Sequence, residues 1–479
     1  MKRVTPFELT LSPSPKQISL THSLHEQLRE AILDGRLKSG TRLPASRDFA
    51  AHYKLSRGTV VSVFEQLQSE GFLSSKVGFG TWVNKLPDYA HRAKRLMPAL
   101  VRLPSPLTGL RFQNPALPFR SHEPALSEFP LGIWARLASR RIRQASRGLL
   151  AQRDGRGHSA LRIALAEYLG ASRGAHCSAD QIVIVSGVQQ ALDILARVLL
   201  KPGDSVWMED PGYFGAVTAF RNAGVKIVPV PIDEQGISVE AGKRRAPRAK
   251  GVYVTPAHQF PLGVMMSLER RLEILSWALK TGAFVIEDDY DGEYRLAGRP
   301  VSVLQNLDKN DSVILVGSFN KLLFSSLRVG YMVLPKRLID TILAFRFGID
   351  QNAVGLEQAI LADFIDEGHM GRHMRRMREL YADRLQTLRR ESEKHLKGLL
   401  EIPNIHAGLY TVGFLRNGMS SRQAETAATS HGIETMGLDR FVLSRTDPKG
   451  LILGFAAFDH RAIKRGVATL AMALAKRQR

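Results

Sequence analysis

Lys321 stands in Ser318-Phe319-Asn320-Lys321, just past the apolar run Ser312–Gly317, with Arg328 a short distance further on. A lysine amine in a protected site forms imines with carbonyl compounds. Ser318 and Arg328 offer a hydroxyl and a bidentate fork suited to a phosphate. The run Val183-Ile184-Val185-Ser186-Gly187-Val188-Gln189-Gln190 passes from strand through glycine into helix. The amides of Gly187, Val188 and Gln189 would then form a positive helix end for the same anion. A second strand, Ala283–Glu287, ends in Asp288-Asp289-Tyr290-Asp291. Alternation puts Asp288 and Tyr290 on one side, where a carboxylate can face a ring nitrogen and a phenol a ring oxygen. The same acids also read as a solvated loop, or as a metal site of Asp288, Asp289 and Asp291. Tyr213, in Pro211-Gly212-Tyr213, is a candidate for stacking on a ring. An imine-forming lysine, a pyridine partner, a stacking aromatic and phosphate donors together meet the needs of pyridoxal 5′-phosphate.

These residues require a scaffold that gathers strand ends. From about residue 114, strand-like runs (Gln181–Ser186, Val225–Val230, Gly251–Thr255, Ala283–Glu287, Ser312–Gly317) alternate with helical ones. That alternation predicts βαβ units and an α/β fold with a mostly parallel sheet, whose ligands gather at the carboxyl ends of the strands. After about 350 the pattern becomes helical and then mixed, which predicts a smaller C-terminal lobe.

A different pattern occupies the start of the chain. A helical stripe at Leu24, Leu28, Ala31 and Ile32 stops at Asp34-Gly35. A second helix is expected behind Pro44, with Ser46 as its cap, and a third behind the Lys54-Leu55 turn, capped by Ser56 and burying Val60, Phe64 and Leu67. Helix, tight turn, helix is the arrangement that sets a second helix in a DNA major groove. Its exposed start would present Arg57, Gly58 and Thr59 to base edges and phosphates, with Arg47 as a backbone contact. Gly71-Phe72-Leu73 leads into a hairpin whose turn, Lys76-Val77-Gly78-Phe79-Gly80, makes a small wing tip. A helical protein-interaction module is the competing reading of the caps and spacing.

Composition agrees with a globular chain of two or three domains. The 479 residues are 44% hydrophobic and 23% charged, with no apolar run long enough to span a bilayer. One cysteine, Cys177, excludes an intrachain disulfide and a thiolate metal cage, and with no apolar leader near Met1 the expectation is a cytoplasmic protein. The net charge of +22 points to a polyanionic partner such as nucleic acid. Twelve basic and seven acidic residues in the first 85 account for only five of those charges. The segment Ile133–Gln152 carries Arg136, Arg140, Arg141, Arg143 and Arg147 and no acid, which suggests a phosphate-facing helix. The expected division is 15–84 for the DNA-binding domain, 85–113 for a basic, proline-containing linker, and 114–479 for the α/β domain.

Leu43-Pro44-Ala45-Ser46-Arg47-Asp48, Leu55-Ser56-Arg57-Gly58-Thr59-Val60 and Gly71-Phe72-Leu73 resemble the winged helix-turn-helix of GntR-family bacterial repressors. Glu209–Tyr213, Thr255–Gly263, Glu287–Asp291, Ser318–Lys321 and Leu327–Tyr331 resemble fold-type I aminotransferases. The union resembles the MocR subfamily of transcriptional regulators. That resemblance implies Lys321 as the aldimine lysine, Asp288 as the pyridine partner, Tyr290 as the partner of the ring oxygen and Tyr213 as the stacking ring, with Ser318 and Arg328 on phosphate. It also implies a homodimer that binds a double-stranded DNA operator and senses a small amino compound. The alternative is a working aminotransferase that carries a DNA-binding domain. Three departures from the aminotransferase pattern bear on that choice. Ile452 stands where a carboxylate-binding arginine is usual, and Phe260 where an asparagine is usual. Gln152-Arg153-Asp154-Gly155 lacks the tyrosine expected before the glycine. Gly215 stands where a γ-aminobutyrate sensor would carry arginine, which leaves Arg445 as a candidate contact for an acidic effector.

Overall fold

The computed structural model describes residues 19–76, 78–86, 116–145, 147–151, 154–298, 301–350, 355–444 and 448–475. Arg445, the Gln152-Arg153 pair, residues 15–18 and all but the first two residues of the expected linker lie outside them. The chain divides into two compact units, Met1–Leu103 and Pro104–Arg479.

In the first unit, Leu20–Leu33, Ser46–Tyr53 and Arg57–Ser69 are helices. Strands β1 (Arg42–Leu43), β2 (Leu73–Lys76) and β3 (Gly80–Val83) form an antiparallel sheet in the order β1-β3-β2. The core contains Leu24, Leu28, Ala31, Ile32, Val60, Phe64 and Leu67, the stripes read from spacing, and adds among others Phe49, Val63, Leu73 and Val83. Ser56 Oγ accepts from Thr59 N at 3.0 Å, the N-cap expected of it. Ser46 does not cap. It is the first residue of its helix, Ala45 holds the cap position, and no side chain bonds there. Lys54 makes the turn between the two helices in the left-handed region, with φ 53°.

The second unit is built on eight strands: β4 (Ile182–Val185), β5 (Ser205–Asp210), β6 (Lys226–Asp233), β7 (Gly236–Ile237), β8 (Gly251–Val254), β9 (Phe284–Asp289), β10 (Val313–Ser318) and β11 (Gly330–Val333). Their order is β4-β11-β10-β9-β8-β5-β6-β7. The run β10-β9-β8-β5-β6 is parallel, while β11 pairs antiparallel with both β10 and β4. Strands such as Ile182–Val185 and Val313–Ser318 are buried along their whole length, as expected where helices cover both faces. A smaller antiparallel sheet, β12 (Leu400–Glu401), β13 (Tyr410–Leu415), β14 (Met436–Gly437) and β15 (Gly450–Gly454), forms the C-terminal lobe with the helices His369–His395 and His460–Ala475.

The basic segment Ile133–Gln152 is not one helix. Leu131–Arg143 ends and a short helix, Arg147–Leu150, follows. Nor is it free of acids in space. Asp363 accepts from Arg140 at 2.8 Å and from Arg141, and Glu367 also accepts from Arg140. The carboxylates come from a helix and the turn after it, more than two hundred residues away, so no local count finds them. Arg136, Arg143 and Arg147 are left exposed.

Candidate functional site

The carboxyl ends of the parallel strands deliver the side chains. Asp288, the penultimate residue of β9, accepts the Tyr253 hydroxyl on Oδ2 at 2.6 Å, and its Oδ1 is buried without a partner among the described residues. Burial pushes the Asp288 carboxyl up to about 7, against the opposing pull of the Tyr253 bond and the Lys321 charge. Lys321, three residues past β10, holds Nζ 4.5 Å from the centroid of the Tyr290 ring and 3.4 Å from His122 Nδ1. Burial lowers the Lys321 pKa, with Asp291 and Asp288 resisting. An amine depressed in this way keeps more of its nucleophilic form.

Ser318, Asn320, Arg328 and the Gly187–Gln189 turn line the same cavity, of about 300 Å³, together with Tyr213, Phe260 and Asp288. Gly187 has φ 133° and opens the helix Val188–Leu199. A Cβ on Gly330 would stand 2.7 Å from Gly187 Cα, so glycine is what lets β11 and this turn close up. Tyr213 caps the helix Phe214–Asn222 and lines the cavity, and burial raises its phenol to about 12. A Cβ on Gly215 would collide with the Tyr213 ring.

The acidic run is split among three partners. Asp289 makes a buried bidentate pair with Arg173 at 2.7 and 2.8 Å, and Asp291 pairs with His258 at 3.0 Å. Asp288 alone opens to the cavity. Among the described residues no group of three or more His, Cys, Asp or Glu could hold a metal. Tyr290 turns its ring toward Lys321, while its hydroxyl donates to the His258 carbonyl at 2.8 Å and lies 2.9 Å from the Tyr410 hydroxyl. Glu209, near the end of β5, holds the loop that follows β8, accepting from Thr255 Oγ1 at 2.6 Å and from Gln259 Nε2 at 3.2 Å, and burial raises it to about 7.

Ile452 is fully buried in an apolar cluster with Phe260, Tyr290, Tyr410, Val412 and Phe441. Among the described residues lining the cavity, the cationic side chains are Lys321 and Arg328. Sequence reading missed His122, Tyr253 and Asn320. Tyr253 was within reach, since β8 lies beside β9. His122 had no signal, because it precedes Lys321 by 199 residues.

In the first unit, Arg47, Ser56, Arg57, Gly58, Lys76 and Gly78 are exposed, and Thr59 is half-buried beside Ser56. Lys76 Nζ lies 5.0 Å from the Phe79 ring at the wing tip. The hairpin tip thus carries an exposed cationic side chain, and the start of the helix Arg57–Ser69 is exposed as well.

Comparison with known families gives two matches: "Bacterial regulatory proteins, gntR family" over residues 20–83 and "Aminotransferase class I and II" over residues 127–440. A curated relative from Rhizobium meliloti, the probable rhizopine catabolism regulatory protein MocR, is 38% identical over 95% of this chain and 93% of its own length. The chain belongs to the MocR subfamily of GntR-family transcriptional regulators. Another relative of this MocR-type chain is the pyridoxine biosynthesis transcriptional regulator PdxR of Corynebacterium glutamicum, 28% identical over 95% of this chain and 96% of PdxR. Among solved structures, the kynurenine aminotransferase of Pyrococcus horikoshii matches with a TM-score of 0.69 and 27% identity over 75% of this chain and 90% of that one. The α-aminoadipate aminotransferase LysN of Thermus thermophilus, solved with N-(5′-phosphopyridoxyl)-L-leucine, matches with the same TM-score and identity over 75% and 92%. The MocR-type architecture is thus a GntR winged helix joined to a fold-type I aminotransferase unit with a large, mostly parallel sheet.

Proposed function

We propose that this chain is a DNA-binding transcriptional regulator whose aminotransferase-like unit binds pyridoxal 5′-phosphate at Lys321 and senses a small primary amine. The observation that carries the reading is the buried Oδ1 of Asp288, without a partner among the described residues, in a cavity that also presents the Lys321 amine and the Arg328 guanidinium. An orphan carboxylate oxygen is costly to bury, and a protonated pyridine nitrogen is a donor that would satisfy it. Ser318, Arg328 and the amides at Gly187–Gln189 would hold the phosphate, and Tyr213 would stack on the ring. When bound, the cofactor supplies an electrophilic carbon for amines. An incoming amine would displace Lys321 and favour whichever arrangement of the unit holds it better, the only way a ligand can move an equilibrium. Arg57, Gly58 and Thr59 would read the groove, Arg47 and the Ser56 turn would contact phosphates, and Lys76 and Gly78 would approach through the wing. The chain would act as a homodimer, as is typical of the aminotransferase-like fold family.

The aminotransferase reading is the weaker one. With Ile452 in place of a cation, the described residues of the cavity hold no clamp for a substrate carboxylate, and orientation is worth several powers of ten in rate. Purified protein treated with cofactor and borohydride should carry the label on Lys321 by peptide mass spectrometry. Candidate amines should change cofactor absorbance and DNA affinity together. A spectral change with constant DNA affinity would remove the sensing role.

A further inference from the structure

His122 occupies a backbone position that its side chain disfavours. Its φ is 64°, in the left-handed region, and Phe119 in the same short segment has φ 72°. For residues other than glycine this conformation costs free energy and persists only where the surroundings enforce it. The enforcement is visible. Leu117 N donates to Glu434 Oε2 at 3.3 Å, Arg120 pairs with the same carboxylate at 2.7 Å, and Gly454 N donates to the Phe119 carbonyl at 2.9 Å. Beyond the segment, Ala125 N donates to the Tyr381 hydroxyl at 3.0 Å. The strap so fastened wedges the His122 ring between Phe260 and Tyr410, with centroids 5.1 and 4.7 Å away, and sets Nδ1 3.4 Å from Lys321 Nζ. Burial, then the Lys321 and His258 charges, hold the imidazole well below its ordinary pKa, so it is neutral and one ring nitrogen has a lone pair to offer. The amine site thus has an acceptor that sequence reading did not assign and that the cofactor's own binding groups do not use.

We propose that His122 is a positioning residue, the resting partner of the Lys321 amine whenever that amine is not bonded to carbon, and that this hydrogen bond favours the displacement of Lys321 by an incoming primary amine. The proposal deepens the cofactor reading above and rests on it for the displacement step. In that exchange the carbon–nitrogen bond to Lys321 breaks as the bond to the incoming nitrogen forms. The incoming amine gives up two protons and Nζ regains two. Nζ then donates one N–H to Nδ1, whose lone pair is available when Nε2 carries the ring proton, and no proton passes between them. Tyr290, with its ring face toward Nζ, lies beside the same rest position.

The test uses the full chain and the variants His122→Gly, His122→Asn and Lys321→Ala. Glycine suits φ 64° and lacks the acceptor, while asparagine tolerates that conformation and restores one. In cofactor-loaded protein, methylamine is titrated against absorbance. His122→Gly should weaken the displacement of Lys321 by about three- to tenfold, the value of one ordinary hydrogen bond. His122→Asn should recover most of that loss, although His122→Gly also loses the packing of the ring between Phe260 and Tyr410. An unchanged displacement constant in His122→Gly overturns the proposal. So does a loss that accompanies a lower melting temperature and is not recovered by asparagine, which would mean that the ring is only a packing element. Cofactor-free protein labelled with 15N-histidine gives a second readout. It should show His122 with its proton on Nε2 and an Nδ1 resonance that shifts in Lys321→Ala. A proton on Nδ1, or no shift, overturns the rest position whatever the cofactor does. If the nitrogen signature is intact but added cofactor leaves Lys321 unlabelled after borohydride, the cofactor reading fails and the contact stands.

Discussion

Tyr253 donates its hydroxyl proton to Oδ2 of Asp288 at 2.6 Å from the neighbouring strand, and among the described residues Oδ1 of that carboxylate has no partner. The bond fixes which oxygen faces the cavity. Asp288→Asn should therefore weaken cofactor binding by roughly ten- to a hundredfold, the scale of one charge-assisted hydrogen bond. Tyr253→Phe should weaken it by less, because the carboxylate keeps its charge but loses its orientation. Equilibrium titration of cofactor absorbance measures both, and equal affinity in Asp288→Asn and parent would remove Asp288 from the site.

The same carboxyl gives a pH dependence with a definite sign. Asp288 is held near 7 in the folded chain, against an ordinary value of 3.8. Between those values the folded protein keeps a proton that the unfolded chain has released, so this group lowers stability as pH rises through the interval. Above 7 the loss is complete. Cofactor-free Asp288→Asn should thus gain more melting temperature over the parent at pH 8 than at pH 4. Glu209 and Glu287, both raised to about 7 by burial, act in the same direction and leave a residual slope in the variant. A gain that is the same at both pH values would count against the burial argument.

Gly215 and Tyr213 make a steric prediction. Since a Cβ at 215 collides with the Tyr213 ring and Gln189 Oε1, Gly215→Ala should displace the tyrosine and lower cofactor affinity. Operator affinity in the absence of effector is expected to stay within about twofold, an effect too small for the loss of even one ordinary hydrogen bond. Parallel measurement of the two affinities separates a local clash from general unfolding, which would lower both.

In the first unit, Ser56→Ala removes the cap that accepts from Thr59 N and should cost about 1 kcal/mol of that unit's stability. Arg57→Ala should lower operator affinity and relax sequence preference, while Lys76→Ala should weaken all sequences alike and reduce the salt dependence by about one ion. Fluorescence anisotropy across a salt series distinguishes the two. Identical behaviour of both variants on specific and random duplexes would refute a base-reading role for Arg57.

Much of this was legible in the sequence because the informative residues lie at local boundaries. Lys321, Asp288 and Gly187 each follow an apolar run, and the caps and stripes of the first unit repeat at helical spacing. The resemblance supplied the roles. What spacing could not give is contact between distant segments. The short strand Gly330–Val333 joins the sheet antiparallel between β4 and β10, a pairing that alternating strand and helix patterns do not encode. Asp363 from another helix and Glu367 from the turn after it pair with Arg140 and Arg141, so the one-signed basic face is in part compensated, while Arg136, Arg143 and Arg147 stay exposed. His122 reaches Lys321 only because the strap is fastened to the C-terminal lobe. Ser46, read as a cap, enters its helix because the Pro44-Ala45 pair places the boundary one residue earlier.

The close approach of Gly330 to Gly187 also has a temporal side. The proposed anion cradle joins a turn before residue 190 to a strand that ends at Val333, so the cradle is not complete until the ribosome has passed both. Residues 19–86 emerge much earlier and have a core of their own, and domains generally fold as units in the order they are made. A nascent chain therefore finishes its N-terminal head while the cradle is still half written, and a copy truncated between the two would keep the head and lack the cradle altogether.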